Sequence, residues 1–431
     1  MNITIKNARL ICPATHLDAI QTLHIVGNKI SALGQAPTGF IANIIIDGTD
    51  CILTTGLIDL SVRLREPGYE HKQAMATELA AAVSGGVTTV VCPPDTSPIL
   101  DEVGLVEMLL QRAEKLAIAR VLPLGALTRQ LQGLELSELA QLAESGCIAF
   151  SQGSIPLSNL QVLARALNYA KTYQIPVWLR PVNSQLALGV AASGAYATRM
   201  GLSGIPVAAE SIALLTLFEL LRTNPTPVHI QCISSARGVA LVREAKLQGL
   251  PVTCDVSAYH LHWCDTDIGY FNAQMRFNPP LRSNQDRLAL RAGLIDGTID
   301  AICSDHTPLD IDAKLLSFAE ASVGASGVEL LLSIVIQWAL QEKLSLGTAL
   351  ACLTSGAAKV LRRDIPSLMV GSIADLVLFN PNMWQIVKNL HSQGQNTPFA
   401  GMELPGVVQA TLLNGRLVYQ SDLNKTQTVY Y

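Results

Sequence analysis

Arginines, a cysteine and an aspartate stand at the ends of short apolar runs in this chain. Arg63 and Arg65 follow Gly56-Leu57-Ile58-Asp59-Leu60-Ser61-Val62, and Arg180 follows Trp178-Leu179. Cys232 follows His229-Ile230-Gln231, and Asp305 follows Ala301-Ile302-Cys303-Ser304. Cysteine and aspartate can lend a lone pair to a metal, whereas a guanidinium stays protonated and has none to give. Hydrolysis without a metal requires another way to activate a nucleophile, and no Ser-His-Asp arrangement or pair of glutamates suggests one. His229, His260, His262 and His306 also stand near strand ends. His16, His24, His71 and His391 have no partner readable from the sequence.

The elements that position these residues follow from the apolar pattern. Eight short β-branched runs recur: 56–64, 87–93, 119–126, 147–152, 176–182, 227–234, 251–257 and 300–306. Helical patterns such as Lys72–Ser84, Glu102–Leu116 and Asn159–Tyr173 lie between them. Buried parallel strands alternating with helices are βα units, and eight of them predict a closed (β/α)8 TIM barrel. An open doubly wound sheet is the alternative, but no Gly-x-Gly-x-x-Gly follows any strand. Barrel chemistry sits where strands end, at the C-terminal face. Both chain ends instead read as strands and turns, with Gly27-Asn28 and Asn414-Gly415 marking hairpins. Residues 1–54 and 366–431 are therefore expected to form one small β-sandwich beside a barrel of residues 55–365.

Composition narrows the function classes. With 49% hydrophobic and 15% charged residues in 431, the chain can bury a large core and leaves surface for subunit contacts. The net charge of −4, without a basic stripe, argues against a nucleic-acid partner. Nine cysteines are scattered singly, several inside apolar runs, with no CxxC pair. That usage fits buried small hydrophobes in a reducing cytoplasm. The start, Met-Asn-Ile-Thr-Ile-Lys, lacks a signal-peptide core, and the apolar stretch Leu330–Leu340 is too short to span a bilayer. The expectation is a soluble cytoplasmic protein.

The segment Gly56-Leu57-Ile58-Asp59-Leu60-Ser61-Val62-Arg63-Leu64-Arg65-Glu66-Pro67-Gly68 resembles the dihydroorotase motif Gly-Leu-Ile-Asp-x-His-x-His-Leu-Arg-x-Pro-Gly of the amidohydrolase superfamily. Further segments follow the same family in collinear order over nearly all of residues 2–425. Cys92-Pro93-Pro94-Asp95-Thr96 is similar to Met-Pro-Asn-Thr, and 201–210 to Gly-Leu-x-Gly-x-Pro-x-x-x-Glu. Arg276-Phe277-Asn278-Pro279-Pro280-Leu281-Arg282 is similar to Lys-x-Asn-Pro-Pro-Leu-Arg, and Ser304-Asp305-His306-Thr307-Pro308 to Thr-Asp-His-Ala-Pro.

The resemblance implies that four histidine ligands have become Ser61, Arg63, Arg180 and Cys232. Gln152 and Gly153 stand where relatives carry an anionic ligand. Asp305 matches the catalytic aspartate. Of the substrate site Arg65 remains, but Asp95 replaces an asparagine and Leu309 a histidine. At ~5 Å and an effective dielectric near 20, each arginine would repel a divalent ion by roughly 6–7 kcal/mol. Zinc is therefore expected to be absent, with Arg63 taking its electrostatic place by pairing with Asp59 or Asp305, so that no buried carboxylate is left unpaired. Plainer readings stand beside this. Asp59 and Asp305 read as barrel-mouth carboxylates in salt bridges, and Cys232 as a core thiol. His306 reads as a structural hydrogen bonder, and His260 and His262 as second-layer or surface residues. Arg65 reads either as a remnant anion site or as a clamp on the Pro67-Gly68 loop.

By resemblance, the chain is expected to be a non-catalytic dihydroorotase homologue of pyrimidine biosynthesis. It looks like the inactive copies that join the aspartate carbamoyltransferase catalytic subunit in a hetero-oligomer, with self-association also expected. The alternatives are a divergent cyclic amidohydrolase with one metal on Cys232 and Asp305, or a sensor binding a carboxylate at Arg65.

Overall fold

The computed structural model describes residues 1–70, 74–422 and 428–430. His71 and the first residues of the helix expected at Lys72 lie outside the described residues; that helix is seen as Met75–Ser84. The N-terminal strands are β1 (Asn2–Cys12), β2 (Leu17–Val26), β3 (Lys29–Leu33), β4 (Ile44–Asp47) and β5 (Ile52–Thr55). The chain then enters β6 (Leu57–Asp59), β7 (Val87–Cys92), β8 (Arg120–Ala126), β9 (Ala149–Ser151) and β10 (Val177–Leu179). A small parallel pair follows, β11 (Ala191–Ala192) with β12 (Gly204–Ile205), and then β13 (Val228–Ile230), β14 (Val252–Ser257) and β15 (Ala301–Cys303). The chain returns through β16 (Leu376–Ile386), β17 (Glu403–Leu413), β18 (Arg416–Gln420) and β19 (Thr428–Tyr430).

The eight strands β6, β7, β8, β9, β10, β13, β14 and β15 form one parallel sheet in that order. Each falls inside one of the eight apolar runs, so the expected TIM barrel is the observed one. The runs are longer than the ladders, because residues past Asp59, Ile230 and Cys303 leave the sheet to build the mouth. Past the ladder, a parallel bridge between Val62 and His306 closes the barrel. Arg63 N–H donates to His306 O at 3.1 Å, and His306 N–H to Ser61 O at 3.0 Å. This seam joins the first and last strands.

The two chain ends fold together, as their shared texture predicts. They make a nine-stranded mixed sheet along the path β18-β17-β16-β5-β1-β2-β3, with β4 beside β1 and β19 beside β4. Period-2 alternation decides which face each residue serves. Leu376 and Leu378 enter the core within the sheet, while Val377 and Phe379 pack into the barrel's outer core. Inside the barrel, Trp178, Ile58, Leu60, Val91, Leu122 and Leu124 fill the lumen. Helix Ser355–Val360 adds Ala357, Ala358 and Val360 to that cluster, away from the mouth. No helix among the described residues is long and apolar enough to cross a membrane.

Two glycines mark close approaches that the barrel requires. A Cβ at Gly356 would lie 2.1 Å from the Asp300 carbonyl oxygen, and one at Gly56 would lie 2.2 Å from Thr88 Oγ1. The first obstacle is backbone, and the second is the buried, β-branched Thr88, whose Cγ2 and Cβ would also lie at 2.5 and 2.8 Å. Gly356→Ala and Gly56→Ala should therefore each cost about 1–3 kcal/mol or more, measured as urea midpoints at constant slope. An unchanged midpoint in either variant would mean that its contact relaxes.

Candidate functional site at the barrel mouth

The seam that closes the barrel also delivers the central contacts. Ser61 and Arg63 ride on the extension of β6, and Asp305 on that of β15, where it adopts a left-handed φ of 46°. Such a conformation is uncommon outside glycine, though asparagine and aspartate tolerate it best. It aims the carboxylate into the mouth, where Asp305 Oδ1 accepts from Ser61 Oγ at 3.1 Å and from Arg63 Nη1 at 3.2 Å. A third donor comes from across the barrel: Arg180 Nη2, on the residue after β10, at 2.9 Å. One carboxylate oxygen thus receives a hydroxyl and two guanidiniums.

Each arginine is fixed by further partners. Arg63 donates from Nε to Asp95 Oδ2 at 2.9 Å, from Nη1 to Thr307 Oγ1 at 2.9 Å and from Nη2 to Ser154 Oγ at 3.0 Å. Arg180 also donates to the Asn278 carbonyl and, from Nη2, to Cys232 Sγ at 3.3 Å. Both side chains are at most 10% exposed. Burial works to raise the Asp305 carboxyl, but the charges of Arg180 and Arg63 hold it down at about 2. For Arg180 burial pulls the other way, and the neighbouring Asp305 and Cys232 drive it above its ordinary value.

The expected pairing of Arg63 is corrected in part. Asp305 is a partner and Asp59 is not; the other partner is Asp95. Asp59 Oδ1 accepts the N–H groups of Ser61 and Ser304 at 3.2 and 3.0 Å, but Oδ2 has no hydrogen-bond partner among the described residues. Burial lifts this carboxyl to about 6. A buried carboxylate is thus left without a cation, because the guanidinium reaches past it to the mouth. Asp95, expected beside an anionic substrate, is engaged with Arg63.

Arg65 turns away from the cluster, donating through Nε and Nη2 to the Pro308 carbonyl at 3.0 and 2.9 Å. It clamps the loop after β15, which is not the Pro67-Gly68 loop. Leu309 in that loop offers its N–H to Asn396 Oδ1 at 2.9 Å. Gln152 faces sideways to Thr128 and to the Leu131 carbonyl. His306 is wholly buried, with its Nε2 2.8 Å from Glu78 Oε2 while Nδ1 accepts the Gly327 N–H. His260 and His262 are buried, not at the surface, and contact the Pro279 and Ile334 carbonyls. Ser154, Thr307, Asp255 and Cys303 complete the site and were not anticipated. Cys303 and Thr307 had a sequence signal, both lying in the segment around Asp305.

The residues at the family's metal positions do not match what a divalent ion needs. Two guanidiniums project into the mouth, and the one oxygen of Asp305 that faces them already has three donors. Among the described residues one group brings three metal-competent side chains together: Cys232, Asp255 and Cys303, with ligand atoms within 4.8 Å. Its carboxylate is occupied, Oδ1 by Cys232 N–H at 2.6 Å and Oδ2 by His229 Nε2 at 3.0 Å. The cavity touching Arg180, Cys232, Asn278 and Arg282 measures about 20 Å³. That is room for about one water; a second cavity, of about 350 Å³, lies on the other side of Arg180 against Gln152 and Pro181.

Removing Arg180 leaves Asp305 short of one of its two cations. Arg180→Met should cost about 3–5 kcal/mol at neutral pH, and less on acidification as Asp305 becomes free to protonate; urea titrations across pH measure both. Asp59 predicts the opposite slope. An acid raised by folding stabilises most while protonated, fully so below its unfolded value near 3.8, and that contribution disappears as pH rises through about 6. Relative to Asp59→Asn, the wild-type chain should lose on the order of 3 kcal/mol across that window. Parallel pH profiles of the two proteins would exclude this.

Known proteins match this chain along nearly its whole length. The "Dihydro-orotase-like" family profile matches residues 50–237. A "Dihydroorotase-like protein" of Pseudomonas aeruginosa is 42% identical over 422 residues, covering 97% of this chain and 100% of the relative. A "Dihydroorotase" of Citrifermentans bemidjiense is 37% identical over 429 residues, covering 98% and 100%. The solved L-hydantoinase of Arthrobacter aurescens superimposes with a TM-score of 0.86 at 20% identity, covering 97% of this chain and 96% of that one, so it shares the fold. The chain belongs to the dihydroorotase-like family.

Proposed function

We propose that this protein is a dihydroorotase homologue without hydrolytic activity, serving as a structural subunit for aspartate carbamoyltransferase in pyrimidine biosynthesis. The observation that carries the reading is the double engagement of Asp305 by Arg63 and Arg180. Amide hydrolysis in this family rests on a metal-activated water and on an aspartate that shuttles its proton. A carboxylate held at about 2 and bonded to three donors is a poor proton acceptor at neutral pH. Two guanidiniums oppose a divalent ion by the Coulomb argument above, so the protein is read as zinc-free. The partner assignment rests on the likeness to inactive family copies that join this transferase. The cysteines are all buried and unpaired, which supports a reducing cytoplasmic compartment.

A second reading is favoured by one observation. Cys232, Asp255 and Cys303 could hold a single thiophilic metal, which would make the chain a divergent cyclic amidohydrolase. Elemental analysis of freshly purified protein separates the two, together with an assay on dihydroorotate and carbamoyl aspartate. The first reading expects substoichiometric zinc, no turnover above background and co-elution with the carbamoyltransferase on size exclusion. One zinc per chain with turnover would overturn the inactive reading, and independent elution would overturn the assembly role.

A further inference from the structure

We propose that Cys232 and Cys303 form a peroxide-oxidisable dithiol, a modification site in the barrel mouth. Their sulfurs lie 3.9 Å apart and, among the described residues, are the one thiol–thiol contact in the chain. Cys303 belongs to β15 and Cys232 follows β13, so the pair reaches across the end of the intervening β14. A disulfide requires the sulfurs to approach from 3.9 Å to roughly 2.05 Å, and because the two cysteines flank β14 the closure includes a shift of the chain after β13.

The two cysteines are not equivalent. Cys232 Sγ faces the Arg180 guanidinium at 3.3 Å and lines the small mouth cavity, whereas Cys303 lies behind it in the strand. The cavity of about 20 Å³ has room for a molecule the size of water or hydrogen peroxide and none for glutathione. Hydrogen bonding from Cys303 and the charge of Arg180 favour the Cys232 thiolate, while burial and the nearby carboxylates of Asp305 and Asp255 oppose it. Their balance leaves Cys232 above its ordinary value.

In the first step the Cys232 thiolate attacks one peroxide oxygen. The S–O bond forms, the O–O bond breaks, and hydroxide leaves and takes up a proton as water. In the second, Cys303 attacks the Cys232 sulfur of the sulfenic acid. The S–S bond forms, and the sulfenic oxygen departs as water with the Cys303 proton. Two thiols lose two electrons in total, and one hydrogen peroxide becomes two waters. The new bond draws Cys232 away from Arg180.

This inference rests on the reading that no metal bridges the two thiols, and its test separates the two. Full-length protein is reduced, desalted, assayed for zinc and treated with hydrogen peroxide. Free thiols are then counted after denaturation, and the disulfide is mapped by mass spectrometry of unreduced peptides. The expected result is loss of two of the nine thiols and a Cys232–Cys303 cross-linked peptide. In Cys303→Ser, dimedone should label Cys232; in Cys232→Ser, neither adduct nor cross-link should form. If either variant fails to fold, the wild-type peptide map decides alone. Nine intact thiols in a zinc-free sample, a different cysteine pair, or dimedone on Cys303 in the wild type would each overturn the dithiol. Thiols protected by bound zinc and released by a chelator would overturn both it and the metal-free reading.

Discussion

A single carboxylate oxygen, Asp305 Oδ1, is where the first strand, the fifth and the last meet. Ser61 and Arg63 reach it across the seam, and Arg180 reaches it from β10. The barrel closes by one backbone bridge, Val62 to His306, so these side-chain contacts reinforce the point where the sheet has least hydrogen bonding of its own. Removing either arginine would leave the buried carboxylates short of one balancing cation, which is the expensive case for an ion pair. The cluster of Arg63, Arg180, Asp305 and Asp95 is neutral in sum, and that neutrality lets two guanidiniums lie in a largely water-excluded mouth.

A buried ion cluster of this kind is not the most stabilising way to fill a barrel, since apolar residues of equal volume often do as well or better. Its presence makes sense as a replacement. Where an ion and its ligands would cross-link several strands, the two arginines bridge the same strands through oppositely charged and polar partners. The network that holds Glu210 points the same way. Its carboxylate accepts from Ser234 and Ser235, and Arg282 donates to Ser234 Oγ, binding the loop after β13 to the helix Ala208–Thr223 and to the segment after β14. The scaffold of the mouth is therefore intact, while its centre is filled by protein charge.

Asp59 shows the cost of that arrangement. It lies at the end of β6, fully buried, holding two backbone N–H groups with one oxygen and, among the described residues, no hydrogen-bond partner with the other. Its hydrogen bonds pin the start of the seam to Ser304 and so to the segment that presents Asp305. Positional work is its evident role, performed by a carboxyl that burial holds at about 6.

The barrel was legible because buried parallel strands must be continuously apolar, and eight such runs separated by helical periods admit few other folds. The joining of the two chain ends was legible from their shared strand-and-turn texture. At the site, Ser61, Arg63, Arg180, Cys232 and Asp305 could be singled out by position and chemical type alone, because lone pairs and fixed charge are properties of the residue. Asp305 was one of the two carboxylates offered to Arg63 and is a partner; the other offered, Asp59, is not, and the Arg63–Asp95 and Arg180–Asp305 pairs could not be read. Arg63 and Asp305 are 242 residues apart, and Arg180 and Asp305 are 125 apart. Side-chain reach, the left-handed turn at Asp305 and closure of the seam settle those contacts. The amino-acid sequence thus determined the barrel and the kinds of groups at its mouth. Their partners were decided only in three dimensions, because a long guanidinium can pass a near carboxylate to reach a better-placed one.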